Sequence, residues 1–90
     1  MSYADRPWLA RYPEGTPADL EIEYPSALAI FDAAVAAEPD ADFLHYFGST
    51  QSFADVDRAA RALAAALAER GFSRGDRLAL YVQNNPAFVI

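Results

Sequence analysis

The chain has 90 residues and is acidic: thirteen Asp and Glu against seven Arg leave a net charge of −6. That balance repels nucleic acid and anionic membrane surfaces alike. Cysteine and lysine are both absent, which excludes disulfides, thiolate nucleophiles, Cys-type zinc sites and any step that needs a lysine amine within these residues.

Ninety residues make one small domain or a piece of a larger one. A chain this short buries a modest share of its surface, and its apolar fraction leans on alanine, so marginal stability is expected. No basic segment followed by an apolar run comes after Met1-Ser2-Tyr3, the pattern a secretory signal would need. No window approaches the roughly 20 apolar residues of a membrane span. A cytoplasmic protein is therefore expected.

Residues 1–25 carry Pro7, Pro13, Pro17 and Pro25 without a helical or alternating period, and predict an extended N-terminal arm. Trp8, Leu9 and Tyr12 are its expected anchors, holding the arm on its own domain. Residues 26–90 then read as a partial α/β subdomain that stops short of completion at Ile90.

Ser26 stands as N-cap of a helix predicted over 26–38, with Leu28, Phe31, Ala34 and Val35 on one face. Pro39 ends it by disfavouring helical geometry at Glu38. A hairpin follows over 42–47 and 50–53. Phe43, His45 and Phe47 are expected on one side of its first strand, Leu44 and Tyr46 on the other. Gly48-Ser49 is read as its two-residue turn, of type II′.

A long helix over 53–70 is the firmest element. Ser52-Phe53-Ala54-Asp55 fits a capping box with the shorter acid. Phe53, Val56, Ala60, Leu63 and Leu67 form its apolar stripe, and Asp57 and Arg61 are spaced to pair. Gly71 supplies the C′ residue. After a turn at Phe72-Ser73-Arg74-Gly75-Asp76, residues 77–82 form a continuous apolar run, as in a parallel strand covered on both faces. Together with the strand at 50–53 and the long helix they predict one βαβ unit. Asn85 and Pro86 then read as the N-cap and first position of a further helix.

The residues offer little chemistry. Asp55/Asp57 and Asp40/Asp42 are paired carboxylates, but the first pair suits a helix start and the second flanks a turn. His45 is the only histidine, so no two-histidine metal pattern forms. Ser49 and Ser52 lack a Gly-x-Ser-x-Gly surround, and no Gly-rich phosphate loop is present. Asn84-Asn85 follow the expected parallel strand, at the edge where α/β folds bind ligands, although capping the next helix explains them more simply.

Taken in order, Pro39-Asp40-Ala41, the aromatic strand, Thr50-Gln51-Ser52-Phe53-Ala54-Asp55-Val56, the Ala- and Leu-rich helix, Gly75-Asp76-Arg77-Leu78-Ala79-Leu80 and Asn84-Asn85-Pro86 resemble the amino-terminal region of AMP-forming acyl-CoA synthetases, in the adenylate-forming superfamily. Ser52-Phe53-Ala54-Asp55-Val56 stands where that family has a Thr-Tyr-x-Glu-Leu-like helix start, and Ala87 where glutamate is common. The lead-in Arg6-Pro7-Trp8-Leu9-Ala10-Arg11-Tyr12-Pro13-Glu14-Gly15, with Pro17, is similar to the start of long-chain fatty acid–CoA ligases.

The resemblance implies a fragment of the large domain of such an enzyme. The parent would use ATP, magnesium and coenzyme A to turn a fatty acid into an acyl-adenylate and then a thioester. The family's phosphate loop ending in Pro-Lys-Gly, its magnesium-binding glutamate and its catalytic lysine have no counterpart in these ninety residues. No catalytic, cofactor-binding or metal residue is therefore assigned to any position. The isolated chain is expected to be inactive scaffold, and its apolar strand to promote self-association. The alternative from another class is a freestanding interaction or acyl-carrier-like module. No serine here lies in the Asp-Ser-Leu setting that a carrier needs.

Overall fold

A computed structural model describes residues 2–90; Met1 lies outside them. Its centre is the junction between two helices, α1 (Ala27–Ala37) and α2 (Phe53–Glu69), with a hairpin of β1 (Asp42–Tyr46) and β2 (Ser49–Ser52) between them. A four-residue helix, α3 (Pro86–Val89), closes the chain. This mixed helix-and-hairpin arrangement is compatible with an α/β fragment.

Both helix starts follow from local chemistry. Ser26 Oγ accepts the Ala29 N–H at 3.1 Å, capping α1. At α2, Ser52 Oγ accepts the Asp55 N–H at 3.1 Å while the Ser52 N–H donates to Asp55 Oδ2 at 3.0 Å, a reciprocal capping box. The two remaining free donors of the first turn reach further back: the Phe53 N–H donates to the Ala41 carbonyl at 3.1 Å, and the Ala54 N–H to that of Pro39 at 2.9 Å. The Pro39-Asp40-Ala41 turn thus serves as a backbone cap for α2 as well as a stop for α1, fixing one helix end against the other. α2 ends in a Schellman motif. The Phe72 N–H donates to the Leu67 carbonyl and the Gly71 N–H to that of Ala68, at 3.0 Å each, with Gly71 at φ 90°.

The core is small and aromatic. Phe43 stacks on Phe53 with ring centroids 4.4 Å apart, and Phe31 approaches both at 5.8 and 6.4 Å. One turn along α2 from Phe53, Val56 is 1% exposed and is the one fully buried side chain among the described residues. Across the α1–α2 contact, Arg61 donates from Nε to both Asp57 oxygens at 3.0 Å and lies 3.8 Å from Asp32 of α1. The Cα radius of gyration is 19.0 Å, against about 12 Å for a compact chain of this length.

The hairpin departs from the expected register. Asp42 pairs with Ser52 but Leu44 with Gln51, so Phe43 is an extra residue in β1. This bulge interrupts the expected alternation: Phe43 and Leu44 are both partly covered, while His45 is exposed. The turn also sits one residue earlier. Tyr46 pairs with Ser49, leaving Phe47 (φ 44°) and Gly48 (φ 80°) as its centre. Two positive φ angles mark a type I′ turn in place of type II′, which has a positive φ at its first central residue alone. Phe47 is 91% exposed and strained. Phe47→Asn, which gives the preferred Asn-Gly pair, is expected to stabilise the fold by about 0.5–1 kcal/mol after losing the edge contact to Tyr46. Urea titration checks this; a lower midpoint would refute it.

Other expectations are corrected by packing. The arm is not extended throughout: Tyr3–Asp5 and Pro7–Arg11 form two short 3-10 turns. Pro7 at the first position of the second turn supplies the φ that such a turn needs. Residues 77–82 form no strand, and the only described ladder is β1–β2. The βαβ unit is accordingly not closed, since a parallel strand needs a neighbouring ladder and none of the described segments offers one. Leu28 is 67% exposed and Leu63 is also exposed, although both lie on faces expected to be apolar and covered.

Candidate functional site

Among the described residues, two of the depressions on the body have a defined lining. The larger, about 460 Å³, runs between α1, α2 and α3 and is floored by Phe31, Val56, Ala60 and Ala64. Asp32, Asp57 and Arg61 form its polar rim. Arg61 has a pKa raised above its ordinary value by the hydrogen bond to Asp57, by that carboxylate's charge, and more weakly by the charge of Asp32. One cation thus sits between two carboxylates, so the rim carries no uncompensated positive charge with which to hold a phosphate or a carboxylate ligand. The floor offers apolar contact and no nucleophile.

The smaller depression, about 250 Å³, lies where the hairpin meets the start of α3 and is lined by Leu44, His45, Tyr46, Asn84 and Asn85 among others. It brings the single histidine together with the Asn84-Asn85 corner, which spacing alone did not reveal. His45 Nδ1 is 3.3 Å from Thr50 Oγ1 across the hairpin. Asn85 stands as N-cap of α3, as expected, but makes no side-chain cap bond, and its Oδ1 is buried without a partner. Gln51 Oε1 in β2 is in the same state.

The paired carboxylates are structural in their geometry. Asp55 holds the capping box and also pairs with Arg58. Its carboxyl lies below the ordinary carboxylate range, first because the Ser52 N–H donates to it, then through the Ser52 hydroxyl, with Arg58 adding a smaller effect. Asp57 is engaged by Arg61, while Asp40 and Asp42 are exposed around the turn before β1. Ser52 Oγ is likewise occupied at the helix start. Among the described residues, no group of three or more His, Asp or Glu is placed to hold a metal ion, and no helix is long and apolar enough to cross a membrane.

Comparison with known proteins supplies what these side chains do not. Residues 31–90 match the family model described as AMP-binding enzyme. The chain is 33% identical over 87 residues to a long-chain-fatty-acid–CoA ligase of Bacillus subtilis (strain 168), an alignment covering 97% of the chain and 16% of that relative. Proteins of the same description from Haemophilus influenzae and Yersinia pestis are 37% identical over 79 residues and 32% over 82. These alignments cover 86% and 89% of the chain, and 14% and 15% of the respective relatives. The chain therefore spans about one sixth of the length of the curated relatives it matches. No solved structure matches it.

Proposed function

Since the chain belongs to the AMP-binding enzyme family, we propose that its ninety residues are the amino-terminal scaffold of an AMP-forming acid–thiol ligase. The parent's substrate on this reading is a long-chain fatty acid. The carboxylate oxygen attacks the α-phosphorus of magnesium-bound ATP, expelling pyrophosphate and leaving an acyl-adenylate. The thiol of coenzyme A then takes the acyl group, releases AMP and gives up its proton to solvent. The observation that carries the reading is an alignment over nearly the whole chain with proteins named as long-chain-fatty-acid–CoA ligases. The residues agree with it: the Pro39–Ala41 turn and the Ser52–Asp55 capping box have structural duties in fixing α2. The reading puts the protein in the cytoplasm, where ATP and coenzyme A are available.

On this reading the ninety residues contribute no catalytic, cofactor-binding or metal-binding side chain. Isothermal calorimetry of the 90-residue chain is expected to give no heat with magnesium-ATP. A longer chain carrying the family's phosphate loop and mobile carboxy-terminal domain should show fatty-acid-dependent exchange of pyrophosphate into ATP. Micromolar ATP binding by the short chain would refute the scaffold reading; a longer chain that binds but adenylates no fatty acid would refute the substrate.

On the same reading Leu78, Leu80 and Val82, about half exposed and outside any ladder among the described residues, would take strand geometry only against a neighbouring strand of the longer parent. The 90-residue chain is therefore expected to self-associate, with Leu80→Lys reducing the association. Sedimentation velocity over a wide concentration range tests this, and a single monomer peak throughout would contradict it.

A further inference from the structure

We propose that residues 2–19 form a self-latched strap, a unit that moves as one body about residues 20–25, with Arg6 as its latch. Arg6 stands between the two 3-10 turns in the left-handed region, at φ 51° and ψ 54°. Its N–H donates to the Tyr3 carbonyl and its carbonyl accepts the Leu9 N–H, each at 3.1 Å, so one residue ends the first turn and starts the second. That backbone setting sends the guanidinium back across the arm. Nη2 donates to the Ala18 carbonyl at 2.6 Å and to Asp19 Oδ1 at 2.8 Å, and Nη1 to Asp19 Oδ2 at 3.3 Å.

A non-glycine residue holds this conformation only where its surroundings over-determine it, and here the latch and both turns do so. Tyr3, just before the latch, and Trp8, just after it, pack with ring centroids 4.8 Å apart. The Thr16 N–H donates to the Pro13 carbonyl at 3.1 Å across a turn with Gly15 at φ 84°. Three prolines between the latch points, Pro7, Pro13 and Pro17, reduce the freedom that closure must remove. A solvent-exposed pair, weak when it must order a flexible loop, is then sufficient to hold the ring shut. Among the described residues, every hydrogen bond of residues 2–19 stays within them. Residues 20–25 are exposed and make none, which places the hinge there. Because the latch is exposed, salt screens it.

Hydrogen exchange on the 90-residue chain, with quenching of Trp8, its single tryptophan, tests the strap. Arg6→Gly keeps a backbone suited to positive φ and removes the side chain that carries the guanidinium; Asp19→Asn removes the charge it meets. In each, the Leu9, Tyr12 and Thr16 amides are expected to lose protection together and Trp8 to become more accessible to acrylamide, with molar salt doing the same to the unaltered chain. The Phe53 and Ala54 amides of the body keep their protection. Arg11→Gln, an equal charge change outside the latch, leaves the strap closed. Unchanged protection in Arg6→Gly would overturn the proposal. Loss at only one of the three arm amides, or loss that spreads to the body, would overturn it too.

Discussion

Val56→Asp is expected to unfold the body of the protein, and Val56→Ala to cost about 2 kcal/mol. Val56 is the one fully buried side chain among the described residues. It lies one turn beyond Phe53, whose ring stacks on Phe43, and lines the same groove as Phe31. Alanine removes two methyl groups there and leaves a void that neighbouring rings fill only in part. Aspartate places an unpaired charge where no cation is at hand, since Arg58 and Arg61 are engaged by Asp55 and Asp57. A domain of this length has a total stability of roughly 5–10 kcal/mol, and one resting on so small a core belongs at the lower end. Leu63→Ala is the control. Leu63 shares the helix and is 43% exposed, so truncating it should cost about 0.5 kcal/mol or less. Guanidinium titrations followed by circular dichroism measure all three, and equal midpoints for Val56→Ala and Leu63→Ala would contradict this account of the core.

The contrast between Val56 and Leu63 marks how far sequence reading reaches. Both belong to the stripe that helical periodicity predicts, and only one is covered. Periodicity names the face a helix presents; whether a neighbour arrives to cover it depends on segments far along the chain. Features decided within about four residues were legible for that reason. Ser26, the Ser52–Asp55 box and Gly71 each act where their spacing predicts. The bulge at Phe43 was not legible, because it depends on the pairing partner and on the pull of Phe53. The left-handed Phe47 was missed because an aromatic residue is an unusual occupant of a type I′ turn. The strand expected over 77–82 lacks a ladder for the same long-range reason. At the candidate site, the pairing of Arg61 with Asp57 could be read from a four-residue spacing, whereas its approach to Asp32 on another helix could not. The family was legible because order and spacing of short motifs survive where no single motif carries chemistry.

Loss of the Ser52 cap is expected to have the second large effect, about 1–2 kcal/mol for Ser52→Ala. The cap does more than end a helix. With Ser52 as N-cap, Val56 is the fourth helical residue, so the capping box decides which side chains of α2 face the aromatic cluster. It also keeps the Phe53 and Ala54 N–H groups on the Ala41 and Pro39 carbonyls, tying α1, the turn and α2 into one corner. Asp55 adds a pH signature. Its folded pKa is depressed, so its stabilisation is fully present above the ordinary carboxylate value of about 4 and is lost as pH falls through the lower folded value. Asp55→Asn retains an acceptor for the Ser52 N–H but cannot ionise. The stability gap between the unaltered chain and Asp55→Asn should therefore be widest near neutrality and close as the pH drops below about 4. Ser52→Ala and Asp55→Asn should also be less damaging together than the sum of their separate effects, since each removes part of one reciprocal pair. Denaturant titrations of the four proteins at several pH values measure both quantities. Strict additivity, or a gap that persists unchanged into acid, would show that the box does not set the start of α2.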